Sequence, residues 1–130
     1  SYEAVMAGYA TLLRNAQLDA ITTRAGNAAL LRAYNGTQPA TGGAVTTLLA
    51  EWTMGTPFAP GAAAGVLSPT LPADTTGLVS GQCTWLRIVQ SDGSTHVMDI
   101  PVSQVTMNTS SVQLGLPAQV LGFTITAGNA

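Results

Sequence analysis

Cys83, His96 and Asp99 are the residues of this chain whose types could make a nucleophile, a base and an orienting carboxylate. Cys83 is the single cysteine and His96 the single histidine, so any thiol–imidazole chemistry must use these two. Spacing argues against it. If Asp92-Gly93 is the turn of a hairpin, Val89 faces His96, and Cys83 lies six residues further along its strand. At ~3.3 Å per residue that is roughly 20 Å. Proton transfer requires an approach of about 3 Å. The expectation is a small buried core cysteine, with no catalytic residue.

Metal and phosphate chemistry fare no better. One histidine, one cysteine and six scattered acids give no ligand cluster of familiar spacing, so no metal site is expected. Asp92-Gly93 lacks the further acids that a calcium loop needs. The glycines at 61 and 65 are not followed by the Gly-Lys-Ser/Thr of a phosphate loop. No cofactor is expected. Trp52 and Trp85 could stack sugars, but such residues more often anchor a core or an interface.

The element that would carry these residues is a hairpin. Residues 82–90 are rich in β-branched, aromatic and apolar types. Asp92-Gly93 is a favoured hairpin turn, and 95–102 run back. On the first strand Leu86 and Ile88 share one side, with Trp85 and Arg87 on the other. If the aliphatic side is core, the Trp85/Arg87 side is a candidate interface. Glu51 is a candidate cross-strand partner for Arg87.

Before the hairpin, residues 4–25 place apolar side chains at steps of three and four, which predicts a helix. Gly26 is its expected stop. Asn15 and Thr22-Thr23 are weak points that could divide it. From residue 28 the period becomes two. Strands are expected over 28–34, 45–53 and 66–71, then after the hairpin over 104–108, 111–116 and 120–127. Residues 54–65 read as a linker pinned by Phe58, and Pro117-Ala118 as a turn. One helix and seven or eight short strands predict a mainly β fold. The expected form is a jelly-roll-like or immunoglobulin-like antiparallel β-sandwich with an N-terminal α-helical segment. The chain would be a single domain, 1–26 helical and 27–130 sandwich.

Composition bounds the partners. Only 8% of residues are charged, against about 25% in average soluble domains. There are four arginines and no lysine, and the formal net charge is -2. This gives no basic stripe for nucleic acid and no polybasic segment for a membrane surface. No run reaches the ~18 apolar residues of a membrane span, and the first residues do not read as a signal peptide. A surface so poor in charge has little repulsion to keep copies apart. Synthesis in the cytoplasm is expected.

Five segments carry a resemblance: LDAITTRAG, LLRAYNGTQPATGG, TLLAEWTM, TWLRIVQSDGSTHVMD and FTITAGN. In this order they resemble small virion proteins of tailed bacteriophages, a family similar to capsid cement or decoration proteins. His96 and Cys83 depart from the commoner pattern. The resemblance implies a non-enzymatic structural protein of the capsid, assembled in the host cytoplasm. It would bind the major capsid protein in many copies and associate symmetrically with itself. Expected contact surfaces are the helix at 6–21, through Met6, Tyr9 and Leu13, the loop at 57–65 through Phe58, and the Trp85/Arg87 face. A tail or head–tail connector component and a glycan-binding module are the alternative readings. The latter requires an exposed Trp52 or Trp85.

Overall fold

The computed structural model describes residues 9–127. Along the chain come α1 (Thr11–Ala25), β1 (Leu30–Tyr34), β2 (Leu48–Thr53), β3 (Val66–Leu67), β4 (Thr75–Thr76), β5 (Gly81–Gln82) and β6 (Trp85–Val89). They are followed by β7 (His96–Pro101), a 3-10 turn (Val102–Gln104), β8 (Val105–Met107), β9 (Ser111–Val112), β10 (Pro117–Ala118), β11 (Val120–Phe123) and β12 (Ile125–Thr126). The fold is mainly β, sandwich-like, with antiparallel ladders and one helix.

The expected hairpin is β6–β7, and it forms half of a four-stranded sheet of order β2-β1-β6-β7. Val89 does pair with His96. The connection is longer than a two-residue turn, because Gln90 N–H donates to Thr95 O and closes a four-residue loop. Asp92 organises that loop by accepting from the N–H groups of Ser94 and Thr95 at 2.9 and 2.8 Å. Gly93 takes φ +76, a conformation that Cβ sterics disfavour in other residues.

Alternation gives this sheet two unlike faces. Leu31, Ala33, Ala50, Trp52, Leu86, Ile88 and Ile100 point inward and are fully buried. The short pairs β3–β12, β8–β11, β4–β10 and β5–β9 contribute Leu67, Ile125, Val105, Phe123, Ala118 and Val112 to the same core. Phe58 meets Phe123 edge-on at 6.4 Å. Trp52 Nε1 donates to Ala118 O at 3.1 Å and ties the sheet to the opposing strands. Each large apolar side chain buried here contributes about 1.5–3 kcal/mol of transfer free energy.

Several expectations are corrected. Pro117-Ala118 is a strand and not a turn, since it pairs with Thr75–Thr76. The expected strand over 120–127 is interrupted at Thr124 and serves two partners, β8 and β3. Tyr9 and Ala10 precede the helix, which starts at Thr11; the earlier part of the expected helix, with Met6, lies outside the described residues. From Thr11 the helix is continuous through Asn15 and Thr22-Thr23 and stops where Gly26 N–H returns to Thr22 O.

Asn15 does not break α1 because its side chain is used elsewhere. Asn15 Oδ1 accepts from Gly65 N–H at 2.9 Å, and Asp19, one turn on, accepts from Ala62 N–H at 2.8 Å. Leu18, Ile21 and Ala25 complete the inward side. At its end, Arg24 donates from Nε and a terminal nitrogen to His96 O, and Gln90 Nε2 donates back to Arg24 O. The helix therefore lies against β3 and β7.

Candidate functional site

The outer face of the four-stranded sheet carries four of the ten charged residues. Glu51, Arg32, Arg87 and Asp99 occupy one row, each directly paired with the next across β2, β1, β6 and β7. Arg32 Nε donates to Glu51 Oε2 at 2.7 Å, and another of its nitrogens to Gly93 O at 2.9 Å. Arg87 meets Asp99 with two parallel bonds, Nε to Oδ1 at 2.6 Å and a terminal nitrogen to Oδ2 at 3.1 Å. The expected Glu51–Arg87 partnership is corrected: Arg32 stands between them and takes Glu51.

A loop covers half of this row. Residues 35–47 leave β1 and return to β2, closed at the neck by Thr47 N–H on Asn35 Oδ1 at 3.0 Å. Within it Gly43 O accepts from Arg87 at 2.8 Å, and Gly42 N–H donates to Asp99 Oδ2 at 3.3 Å. Trp85 Nε1 donates to Asn35 O and Thr46 Oγ1. Trp85 stacks on Tyr34 with centroids 4.5 Å apart, and the Arg87 guanidinium lies 5.3 Å from the Trp85 ring centroid. Polar atoms and aromatic faces are thus satisfied within the chain.

This burial corrects three of the expected contact residues. Trp85 and Phe58 are fully enclosed, and Arg87 is 8% exposed. For Trp85 and Arg87 the reason is the 35–47 loop folding over a face that alternation alone leaves open, whereas Phe58 turns inward from its own loop onto Phe123. Tyr9 and Leu13 stand on the surface, at 42% and 48% exposure, and Met6 lies outside the described residues. Trp52 is as buried as Trp85, so neither offers the sugar platform that a glycan-binding module requires.

Of the thiol, imidazole and carboxylate, two come together. His96 Nε2 is 3.1 Å from Asp99 Oδ1. Cys83 is enclosed beyond the far end of β6, and its Sγ faces Trp85 O at 3.6 Å. Burial pushes the Cys83 thiol up to about 11, against smaller opposing contributions from its backbone hydrogen bonds. Such a group is a poor nucleophile near neutral pH. Burial also pushes the Asp99 carboxyl up, but the bonds from Arg87, Gly42 and His96 outweigh it and hold it below the ordinary aspartate value. For Arg32 burial acts downward, and the Glu51 partnership reverses it to a net rise. Asp92, which accepts from Thr95 and Ser94, is lowered to about 2.

The row is therefore a charge-neutral clasp with its hydrogen bonds turned inward. Three surface clefts, of about 470, 410 and 350 Å³, carry no ionisable side chain in their linings. Serine, threonine, asparagine and glutamine dominate the two larger ones, with Phe123 or Leu116 as the bulkiest apolar group. Among the described residues no group of three histidine, cysteine or acidic side chains could hold a metal ion. No described helix is long and apolar enough to cross a membrane.

The surface also displays large apolar side chains. The outward side of α1 carries Leu12, 81% exposed, with Leu13, Ala16 and Ala20 also exposed. A second group comes from two loops. Gly77 N–H donates to Leu116 O and Gly115 N–H to Gly77 O, while Leu114 N–H reaches Ser80 Oγ. These bonds set Leu78 and Val79 beside Leu114 and Leu116, all between 42% and 67% exposed. The sequence holds a signal for this patch, leucines placed between glycines in GLVSG and QLGLP, where turn residues leave an apolar side chain nothing to pack under. The charged row also has one: single charges centred in otherwise apolar strands.

No family model, curated protein sequence or solved structure matches this chain.

Proposed function

We propose that this protein is a non-enzymatic structural component of a viral shell, a cement or decoration protein that binds the assembled capsid of a tailed bacteriophage. The observation that supports it is the division of the surface. The paired charges are folded inward as clasps, while leucines stand outward on α1 and on the 77–80 and 113–116 loops. A surface of this kind suits lasting contact with another apolar protein surface, since contiguous exposed apolar patches mark interaction sites. The major capsid protein is the proposed partner. Binding only the assembled form would stabilise that form by mass action.

The test is the copy number of this chain in purified particles, measured by quantitative mass spectrometry against the major coat protein. A ratio near one, or a simple fraction fixed by the shell's symmetry axes, is the expected result. A ratio that fits one ring or one tail would reassign the protein to the connector or tail. Absence from particles would overturn the virion reading.

A further inference from the structure

We propose that the 35–47 loop is a strap that opens by itself while the rest of the fold stays closed, and that its opening uncovers a face built of Tyr34, Trp85 and Arg87.

The strap buries none of its own side chains. Asn35, Pro39 and Gly43 are half-buried, and every other residue from 36 to 47 is exposed. Fixing each residue of a loop costs conformational entropy, and no apolar anchor in the strap offsets it. What holds it down is hydrogen bonding, mostly through its main chain. Gly36 O accepts from Thr84 Oγ1 and Gly43 O from Arg87, while Gly42 N–H reaches Asp99 at the long distance of 3.3 Å. Such bonds replace bonds to water, so each adds only a modest net gain. Few buried apolar contacts and exposed hydrogen bonds mark a segment of low local stability.

What the strap covers is separable from the core. Tyr34 and Trp85 are buried, yet both stand outside the cluster that fills the interior. They form a satellite group of the kind found beneath long loops. The β1–β2 ladder ends at the Tyr34–Leu48 pair, so lifting the strap costs it only the weak contact from Asn35 N–H to Thr47 O, at 3.4 Å. Arg87 and Asp99 keep their two mutual bonds, and no bare charge is left behind. The Trp85 indole N–H loses its acceptors, Asn35 O and Thr46 Oγ1, and turns to water.

Opening therefore changes what the molecule displays. Closed, this side of the sheet shows a polar, glycine-rich loop. Open, it shows tryptophan, tyrosine and arginine, all of them types enriched at protein interfaces.

The two tryptophans test this within one molecule. Both are fully buried, and each indole N–H donates to a carbonyl: Trp52 to Ala118 O in the core, Trp85 to Asn35 O under the strap. Hydrogen exchange of the two indole protons is followed by NMR on the full chain in rising, sub-denaturing urea. The Trp85 proton should exchange roughly a hundredfold faster than the Trp52 proton. Its rate should hardly change with urea, because local opening exposes little surface, whereas the Trp52 rate should climb steeply.

Two variants locate the opening. Thr46→Val, at an exposed position, removes one bond that ties the strap to Trp85 and should speed Trp85 exchange about threefold or more. Ile125→Val thins the core, to which the strap contributes nothing. It should speed Trp52 exchange about threefold to tenfold and leave the Trp85 rate as it was. Equal rates for the two indoles, with the same steep urea dependence, would overturn the proposal, since strap and core would then open only together. So would a Trp85 rate that rises with Trp52 in Ile125→Val, or one that Thr46→Val leaves unmoved.

Discussion

Arg32 and Arg87 are directly paired on adjacent strands, yet each directs its guanidinium to an acid on the side away from the other. Like charges directly opposite on a sheet destabilise it. Here the conflict is resolved by Glu51 on one flank and Asp99 on the other. The two ion pairs are not equivalent. Arg87 and Asp99 side chains are 10% and 3% exposed, whereas Arg32 and Glu51 are 22% and 35% exposed.

That difference predicts unequal mutational costs. Asp99→Ala strands a buried guanidinium and is expected to cost about 3–5 kcal/mol. Glu51→Gln leaves Arg32 near solvent and still bonded to Gly93 O, and should cost about 1 kcal/mol or less. Urea denaturation of the two variants beside the wild type checks the ranking. Equal midpoints would mean that Asp99 is not the closing residue of the clasp.

The same geometry sets an acid dependence. The Asp99 carboxyl is held below its ordinary value in the folded chain, so the unfolded chain binds its proton first. Its contribution is complete above the ordinary aspartate range and is lost as pH falls through the native value. Wild-type stability should therefore decline below roughly pH 4. The decline should be shallower in Asp99→Asn, which has no such proton to bind. Some slope should remain, because Asp92 is lowered in the same direction. Chemical denaturation from pH 7 to pH 2 would show it.

Cys83 is expected to be inert in the folded protein. With the thiol raised to about 11, only about one molecule in a thousand carries the thiolate at pH 8, and the side chain is 1% exposed. A disulfide reagent should label it at the rate of opening, and fully in denaturant. Rapid stoichiometric labelling under native conditions would contradict the burial.

Gly77 holds the two leucine-bearing loops together at a distance no other residue permits. A Cβ there would lie 2.2 Å from Gln113 O, a backbone atom that cannot swing aside. Gly77→Ala should cost about 1–3 kcal/mol as an overpacking change. It should also spread Leu78 from Leu114. Gly61→Ala, where a Cβ meets nothing within 4 Å, is the control, and thermal melts compare the two.

These particulars mark what was legible in the chain. The hairpin, the Val89–His96 pairing, the helix stop at Gly26 and the β class could be read because each depends on local pattern: alternation, turn residues, a positive φ. The fate of Trp85 and Arg87 could not. Alternation separates their side of the strand from the aliphatic one, but whether that side stays open depends on a loop whose own residues, 35–47, carry no periodicity. The leucine patch was missed for a related reason. Leu78, Leu114 and Leu116 lie in turn-rich segments, and it takes long-range bonds at Gly77 and Ser80 to bring them together. The short strands β4, β5, β9 and β10 have two residues each, too few to show a period.

Asn15 and Asp19 reach out of α1 to hold the backbone of Gly65 and Ala62. That loop has almost no side chains of its own with which to keep a shape. Its form is lent to it by the helix, so the two make a single cooperative unit. The amide protons of Ala62 and Gly65 should exchange with solvent only when the helix lifts away. Over evolution the same link binds two distant stretches of sequence into one inheritance: a change at Asn15 or Asp19 must be answered in the loop, or the loop is lost.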